Sequence, residues 1–254
     1  SYEFNVPAGT YTVKVTDANG CLKSFSKTFT QPAAALTITE TISNVTCNGQ
    51  GNGSVTLNIS GGTIGSGYNY AWTSSVGAKD ISATSTSKDQ SALTPGTYTV
   101  VVTDANGCTE TETYTVTEPT ALALSETISQ HNGFNITCNG ANDATIDITV
   151  SGGTSAYTYS WTTVGGSGLN LASEDQTGLG PGTYTVVATD QNSCTISKIY
   201  TITEPDAIAI TGISPVFFGF NVKCNGGNDG AIDISVTGGT LNYSYSWTTV
   251  GGSG

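Results

Sequence analysis

A thirteen-residue string that occurs three times constrains this chain more than any other feature. Gly96-Thr97-Tyr98-Thr99-Val100-Val101-Val102-Thr103-Asp104-Ala105-Asn106-Gly107-Cys108 returns as Gly182-Thr183-Tyr184-Thr185-Val186-Val187-Ala188-Thr189-Asp190-Gln191-Asn192-Ser193-Cys194, and an earlier copy runs from Gly9-Thr10-Tyr11 to Asn19-Gly20-Cys21. Each copy leads on to Gln31-Pro32, Glu118-Pro119 or Glu204-Pro205. The prolines are spaced by 87 and 86 residues (119 − 32 and 205 − 119). A fixed period of that size means one small domain per repeat, each with its own core. Proline ends a hydrogen-bonded ladder and stiffens the chain around it. The boundaries are therefore placed there. Residues 1–32 are the C-terminal part of a repeat, 33–119 and 120–205 are complete repeats, and 206–254 are the N-terminal part of another. The chain opens on Ser1-Tyr2-Glu3, read as part of a strand. It closes on Gly251-Gly252-Ser253-Gly254, a string also present at 165–168, so both ends are read as cuts through a longer polypeptide.

Within each repeat the hydrophobic period is two. Val55, Leu57 and Ile59 alternate with polar residues, as do Ile146, Ile148 and Val150, and Ile232, Ile234 and Val236. Tyr68, Tyr70 and Trp72 do the same, and so do Tyr98, Val100 and Val102. Such alternation marks antiparallel strands with one buried face. In residues 120–205 the expected strands are Ala121–Cys138 (broken near Gly133), Ala144–Val150, Tyr157–Thr162, one or two weaker ones between Gly168 and Gln176, Gly182–Thr189 and Thr195–Thr203. About seven short strands in 86 residues predict an all-β chain of tandem immunoglobulin-like β-sandwich repeats, strung end to end. Trp72, Trp161 and Trp247 fall late in the third strand, where such folds bury an indole. Tyr98 and Tyr184, each shortly after a Pro-Gly step, have the spacing of tyrosine corners. Trp72, Tyr98, Trp161 and Tyr184 are the predicted structural core.

Charge excludes whole classes of function. Nineteen acids face seven lysines, with no arginine, for a net charge of −12. Nucleic-acid binding needs a basic footprint, and an anionic membrane would repel this chain. No apolar run is long enough to span a bilayer, so direct membrane insertion is not expected.

Two turns carry the cysteines. Thr137-Cys138-Asn139-Gly140, Asn142-Asp143, Ile146-Asp147-Ile148, Ser151-Gly152-Gly153-Thr154 and Tyr157-Thr158-Tyr159-Ser160-Trp161 follow one another in fixed order, and Gly-Thr-Tyr-Thr-Val, Thr-Asp-Ala-Asn-Gly-Cys and Thr-Glu-Pro complete the unit. This sequence resembles the SprB repeat, a family found in giant cell-surface adhesins of Bacteroidetes that serve gliding motility. The resemblance implies export by the type IX system, an extracellular, outer-membrane-associated location, and display of a structural or adhesive stalk. Extracellular surfaces or polysaccharides would be its partners, together with cell-surface motility or secretion machinery. The alternative is a carbohydrate-binding or spacer module of a secreted enzyme, which would need a row of exposed aromatic rings.

The six cysteines include no Cys-x-x-Cys pair, and the single His131 cannot complete a zinc site, so disulfides in an oxidising compartment are expected. If the first and last strands of a repeat meet at one pole, the pairs are Cys47–Cys108 and Cys138–Cys194. Cys21 and Cys224 then pair beyond residues 1–254. The competing pattern joins sequence neighbours: Cys21–Cys47, Cys108–Cys138 and Cys194–Cys224. Calcium is the metal that oxygen ligands alone could hold, with Asp104, Asn106, Asp143, Asp190, Asn192 and Asp229 as candidate ligands on two loops expected at one pole. Asp and Asn in turns more often bond their own backbone. No cofactor is expected. One histidine and no Gly-x-Ser-x-Gly elbow leave no hydrolase triad, and an enzyme is not expected. Repeats 120–205 and 206–254 carry insertions at 130–134 and 215–220 that residues 33–119 lack. They are read as a bulge or small flap, serving as a packing plug over the sandwich edge in preference to an adhesive patch.

Overall fold

The computed structural model describes residues 5–75, 77–79, 81 and 85–251. Ser1-Tyr2-Glu3 and the closing residues 252–254 lie outside the described residues. The chain divides into two compact units, Ser1–Pro119 and Thr120–Gly254. All regular structure among the described residues is β.

The first unit begins with a hairpin, β1 (Gly9–Thr16) and β2 (Leu22–Phe29). Six strands follow: β3 (Thr37–Ser43), β4 (Gly53–Ser60), β5 (Asn69–Ser74), β6 (Gln90–Leu93), β7 (Gly96–Thr103) and β8 (Thr109–Val116). They form two antiparallel three-stranded sheets, ordered β3-β4-β6 and β5-β7-β8. The second unit repeats this with β9 (Ala123–Ile128), β10 (Ala144–Ser151), β11 (Thr158–Val164), β12 (Gln176–Leu179), β13 (Gly182–Thr189) and β14 (Thr195–Ile202), ordered β12-β10-β9 and β11-β13-β14. It closes with the pair β15 (Ala209–Ile213) and β16 (Asp233–Thr237). Two three-stranded antiparallel sheets per repeat are consistent with a β-sandwich. Among the described residues six strands stand in each repeat where about seven were expected, and the weak strand falls at Gln176–Leu179, after the interval assigned to it.

Alternation turns the apolar residues of both sheets onto one core. Val55 and Leu57 on β4 meet Trp72 on β5, Tyr98, Val100 and Val102 on β7, and Tyr114 and Val116 on β8. Ile146, Ile148, Trp161, Tyr184, Val186 and Tyr200 do so in the second repeat. Trp72 and Trp161 are 3% and 1% exposed. Each indole N–H donates to a backbone carbonyl, Ser87 O or Ser173 O, at 2.9 Å. The burial therefore leaves no indole donor unsatisfied. Each such side chain contributes about 1.5–3 kcal/mol by removal from water. The tyrosine hydroxyls return four residues upstream: Tyr11 to Pro7 O (3.0 Å), Tyr98 to Thr94 O (2.8 Å) and Tyr184 to Gly180 O (2.8 Å). Trp247 differs from its counterparts. It lies outside any strand and is 62% exposed, because the described residues after 205 form a single strand pair rather than two facing sheets.

The first strand of each repeat is shorter than the apolar pattern suggested. After β9 the chain leaves its sheet, and the Asn135 and Ile136 N–H groups both bond Thr203 O, just past the end of β14 (3.0 and 3.2 Å). Val45 does the same with Thr117 O beyond β8 (2.9 Å). Val45 and Ile136 are buried, at 3% and 0% exposure, although neither lies in a strand. The Asn side chains enforce the crossing: Asn44 Oδ1 accepts from Thr117 N and Asn135 Oδ1 from Thr203 N, each at 2.9 Å. A local side-chain acceptor here outcompetes the ladder.

Candidate functional site

Each repeat has two poles, and the cysteines mark them. At the entrance pole, the Gly-Gly-Thr turn after the second strand grips the residues that lead into the repeat. Gly62 N donates to Ala34 O (3.0 Å), Gly153 N to Thr120 O (2.8 Å) and Gly239 N to Asp206 O (2.7 Å). The preceding glycine must be glycine. Gly61 and Gly152 have φ of +76° and +77°, and an added Cβ would fall 1.7 Å from Ala35 O or 2.0 Å from Ala121 O. A tyrosine secures the turn from the other side: Tyr68 and Tyr157 donate to Gly61 O and Gly152 O at 2.7 and 2.6 Å.

The hairpin between the last two strands packs on this turn. Asp104 Oδ2 accepts from Thr63 N (2.9 Å), while Oδ1 accepts from Asn106 N (2.9 Å) and Cys108 N (2.8 Å). The Asn106 amide donates to Thr63 Oγ1 (2.8 Å). The second repeat has the same set around Asp190, from Thr154 N (2.8 Å), Asn192 N (2.9 Å) and Cys194 N (2.8 Å). The Thr63 N–H bond, aided by those of Cys108 and Asn106, holds the Asp104 carboxyl below the usual range against the opposing effect of burial. For Asp190, burial pushes upward most strongly, but the three donors together outweigh it and the net shift is downward. These are the anchors of a turn.

At the exit pole, the Thr-Cys-Asn-Gly turn grips the residues that leave the repeat. Asn48 Nδ2 donates to Pro119 O (3.1 Å) and Gly49 N to Glu118 Oε2 (2.5 Å). Asn139 and Gly140 repeat this with Pro205 O (3.1 Å) and Glu204 Oε2 (2.6 Å). Asp143 serves the same turn, accepting from Thr137 N (3.2 Å) and from the Thr137 hydroxyl. The Thr137 hydroxyl, then its N–H, draws the Asp143 carboxyl downward.

This arrangement corrects two expectations. The candidate calcium loops do not meet. Asp104 with Asn106, and Asp190 with Asn192, stand at the entrance pole, while Asp143 stands at the exit pole. Asp229 instead accepts from Lys223 N (3.1 Å) and pairs with its ammonium at 3.8 Å. The carboxylates are occupied by backbone donors, and among the described residues no group of three His, Cys, Asp or Glu could hold a metal ion.

The intra-repeat disulfides are not formed either. Cys108 and Cys138 are exposed free thiols, as are Cys21 and Cys224, whereas Cys47 and Cys194 are each disulfide-bonded. The pairs Cys47–Cys108 and Cys138–Cys194 presuppose that both thiols of a repeat share a pole. In fact Cys108 immediately precedes β8, and Cys47 lies beyond its far end, next to Val45 and its bond to Thr117 O. An eight-residue strand at ~3.3 Å per residue puts roughly 26 Å between them, against about 4.4–6.8 Å between the Cα atoms of a cystine. β14 separates Cys194 from Cys138 in the same way. The missed signal is the Asn after β3 and β9, which turns the chain across the sandwich at the exit pole.

The insertion at 130–134 is a miniature hairpin, with His131 N bonded to Phe134 O (2.6 Å) and Phe134 N to His131 O (3.0 Å) around an Asn132-Gly133 tip. Phe217 and Phe220 build the same hairpin around Phe218, whose side chain is fully exposed. Neither tip joins a core cluster, so the packing-plug reading does not describe them.

The SprB repeat family model matches residues 39–77, 134–166 and 221–252. Each matched segment contains the Cys-Asn-Gly turn and the Gly-Gly-Thr turn, while the tyrosine corner and the cysteine hairpin lie outside it. No curated protein matches the sequence. SprB repeats are structural repeats associated with cell-surface proteins. The three matches recur at the repeat period, each on the turns that build the two poles, so the SprB repeat is what these three segments are similar to.

Proposed function

We propose that this chain is a structural and adhesive segment of a very large secreted adhesin, displayed outside the cell and serving surface attachment and gliding motility. The observation that carries this reading is repetition of the family's turns, with one entrance and one exit built per repeat. A domain that grips the chain leading into it and the chain leaving it is suited to serial use, and tandem copies then supply reach. Its partners are extracellular surfaces or polysaccharides, and the motility or secretion machinery through the parent protein. The role is non-catalytic: the conspicuous carboxylates are spent on turn N–H groups. The carbohydrate-module alternative is disfavoured in repeats 33–119 and 120–205. There Trp72 and Trp161 are buried, and Tyr68, Tyr70, Tyr157 and Tyr159 are half-buried.

Antibodies raised against residues 33–205 test this on cells that make the parent protein. Labelling of intact cells, with loss of attachment or gliding when antibody is bound, is the expected result. Labelling only after permeabilisation would end the cell-surface reading.

A further inference from the structure

We propose that the turn at residues 221–226 is a peptide-docking site whose ligand is an extended segment ending in Thr-Glu-Pro. This inference does not depend on the adhesive role.

The two complete repeats show what such a turn holds. In residues 120–205 the Asn135 and Ile136 N–H groups donate to Thr203 O (3.0 and 3.2 Å), and Asn135 Oδ1 accepts from Thr203 N (2.9 Å). Further along, Asn139 Nδ2 donates to Pro205 O (3.1 Å) and Gly140 N to Glu204 Oε2 (2.6 Å). In residues 33–119 the groups of Asn44, Val45, Asn48 and Gly49 hold Thr117-Glu118-Pro119 in the same way. A threonine backbone, a glutamate carboxylate and a proline carbonyl are read together.

Asn221-Val222-Lys223-Cys224-Asn225-Gly226 is the third copy of this turn, and it is already folded for the task. Gly227 N donates to Cys224 O at 2.9 Å, as Ala141 N does to Cys138 O at 3.0 Å. Lys223 N donates to Asp229 Oδ1 (3.1 Å), as Thr137 N does to Asp143 Oδ1 (3.2 Å). Gly226 has a φ of +79°, against +77° at Gly49 and Gly140. The Asn221 amide nitrogen is pinned by Ser214 Oγ (3.1 Å) and Pro215 O (2.9 Å), which leaves Oδ1 to accept. A site that needs no rearrangement gives up little of its binding energy to ordering.

Among the described residues, the Asn221 and Val222 N–H groups, the Asn225 amide and Gly226 N donate no hydrogen bond. Their residues line a cavity of about 670 Å³. Val222 is half-buried where its counterparts Val45 and Ile136 are buried, so a docked segment also covers apolar surface. Lys223 adds what the other copies lack, since Thr46 and Thr137 hold its position there. It lines the same cavity, with its ammonium 3.8 Å from Asp229 and 4.9 Å from the Phe217 ring centroid. In a chain of net charge −12, a lysine at this place favours an acidic ligand.

The test is an amide NMR titration of the whole chain with a synthetic peptide of the Lys198–Ala207 sequence. The Val222 and Gly226 N–H signals and the Asn225 side-chain amide should shift saturably, with the Gly226 proton moving downfield as it takes up the carboxylate. Gly49 and Gly140 already hold Glu118 and Glu204, so their signals should stay in place. The same peptide carrying Glu204→Gln should bind about tenfold more weakly, for loss of the charge-assisted bond. No saturable shift at 222–226 up to about 10 mM peptide, equal binding of the Gln peptide, or equal shifts at all three turns overturns the proposal. Shifts at 222–226 on concentrating the chain alone would assign the site to a second copy and overturn it as well.

Discussion

Gly140 and Gly152 share a φ of +77° but differ in surroundings, and the pair isolates what the entrance turn contributes. A Cβ on Gly140 would meet nothing within 4 Å. Gly140→Ala should therefore cost only the left-handed backbone penalty, about 1–2 kcal/mol. A Cβ on Gly152 would lie 2.0 Å from Ala121 O and 2.8 Å from its carbonyl carbon, both backbone atoms. The chain leading into the repeat must then retreat by about 1 Å or more to restore van der Waals contact. That retreat breaks the bond from Gly153 N to Thr120 O (2.8 Å) and disturbs the one from Tyr157 to Gly152 O (2.6 Å). At about 0.5–1.5 kcal/mol net for each bond, Gly152→Ala should cost about 2 kcal/mol more than Gly140→Ala. Urea unfolding in a Trp72→Phe background reads this out, since Trp161 is then the remaining buried indole. With a slope of about 1–3 kcal/mol/M, the Gly152→Ala midpoint should fall lower by about 1 M. Equal midpoint shifts for the two variants would refute the idea that the turn is built against the incoming chain.

Other outcomes follow from the same contacts. Tyr184→Phe should lower thermal stability more than Tyr98→Phe. The Tyr184 hydroxyl also accepts the Ser167 N–H (3.0 Å), so about 1–2 kcal/mol is at stake against about 1 for Tyr98, and calorimetry showing the reverse order would contradict this. Asp104 and Asp190 have folded-state pKa values below their unfolded value of 3.8, so the stability they add is complete above that value and is lost as pH falls through the lower folded values. Unfolding midpoints should hold steady down to about pH 5 and drop below about pH 4, with Asp190→Asn blunting the drop; a flat profile to about pH 2 would discount these carboxylates.

The strands and the core were legible because burial on one face of a sheet writes itself as alternation. Val55, Leu57, Ile146 and Ile148 needed no further context. The tyrosine corners were equally legible, since that hydrogen bond spans only four residues. What escaped was long-range: which pole each loop occupies. Val45 and Ile136 look like strand residues by side chain, but Asn44 and Asn135 divert their backbones to the opposite sheet. A first strand that ran through to the cysteine would bring that cysteine to the other pole and set the calcium loops together, which the Asn turn prevents. An asparagine that accepts from a backbone N–H 73 or 68 residues away has the same one-letter code as one that closes its own turn.

The exit turn also bears on chemical lifetime. Asn-Gly steps deamidate when the glycine nitrogen attacks the asparagine side-chain carbonyl to close a five-membered imide. At Asn48-Gly49 and Asn139-Gly140 both reactants are already engaged: the amides hold Pro119 O and Pro205 O, and the glycine nitrogens donate to the carboxylates of Glu118 and Glu204. Asn132-Gly133, at the exposed hairpin tip, has neither kind of bond among the described residues. Isoaspartate should accumulate at position 132 well before positions 48 and 139 in an aged sample, so the grip that fixes the end of each repeat also slows its chemical ageing.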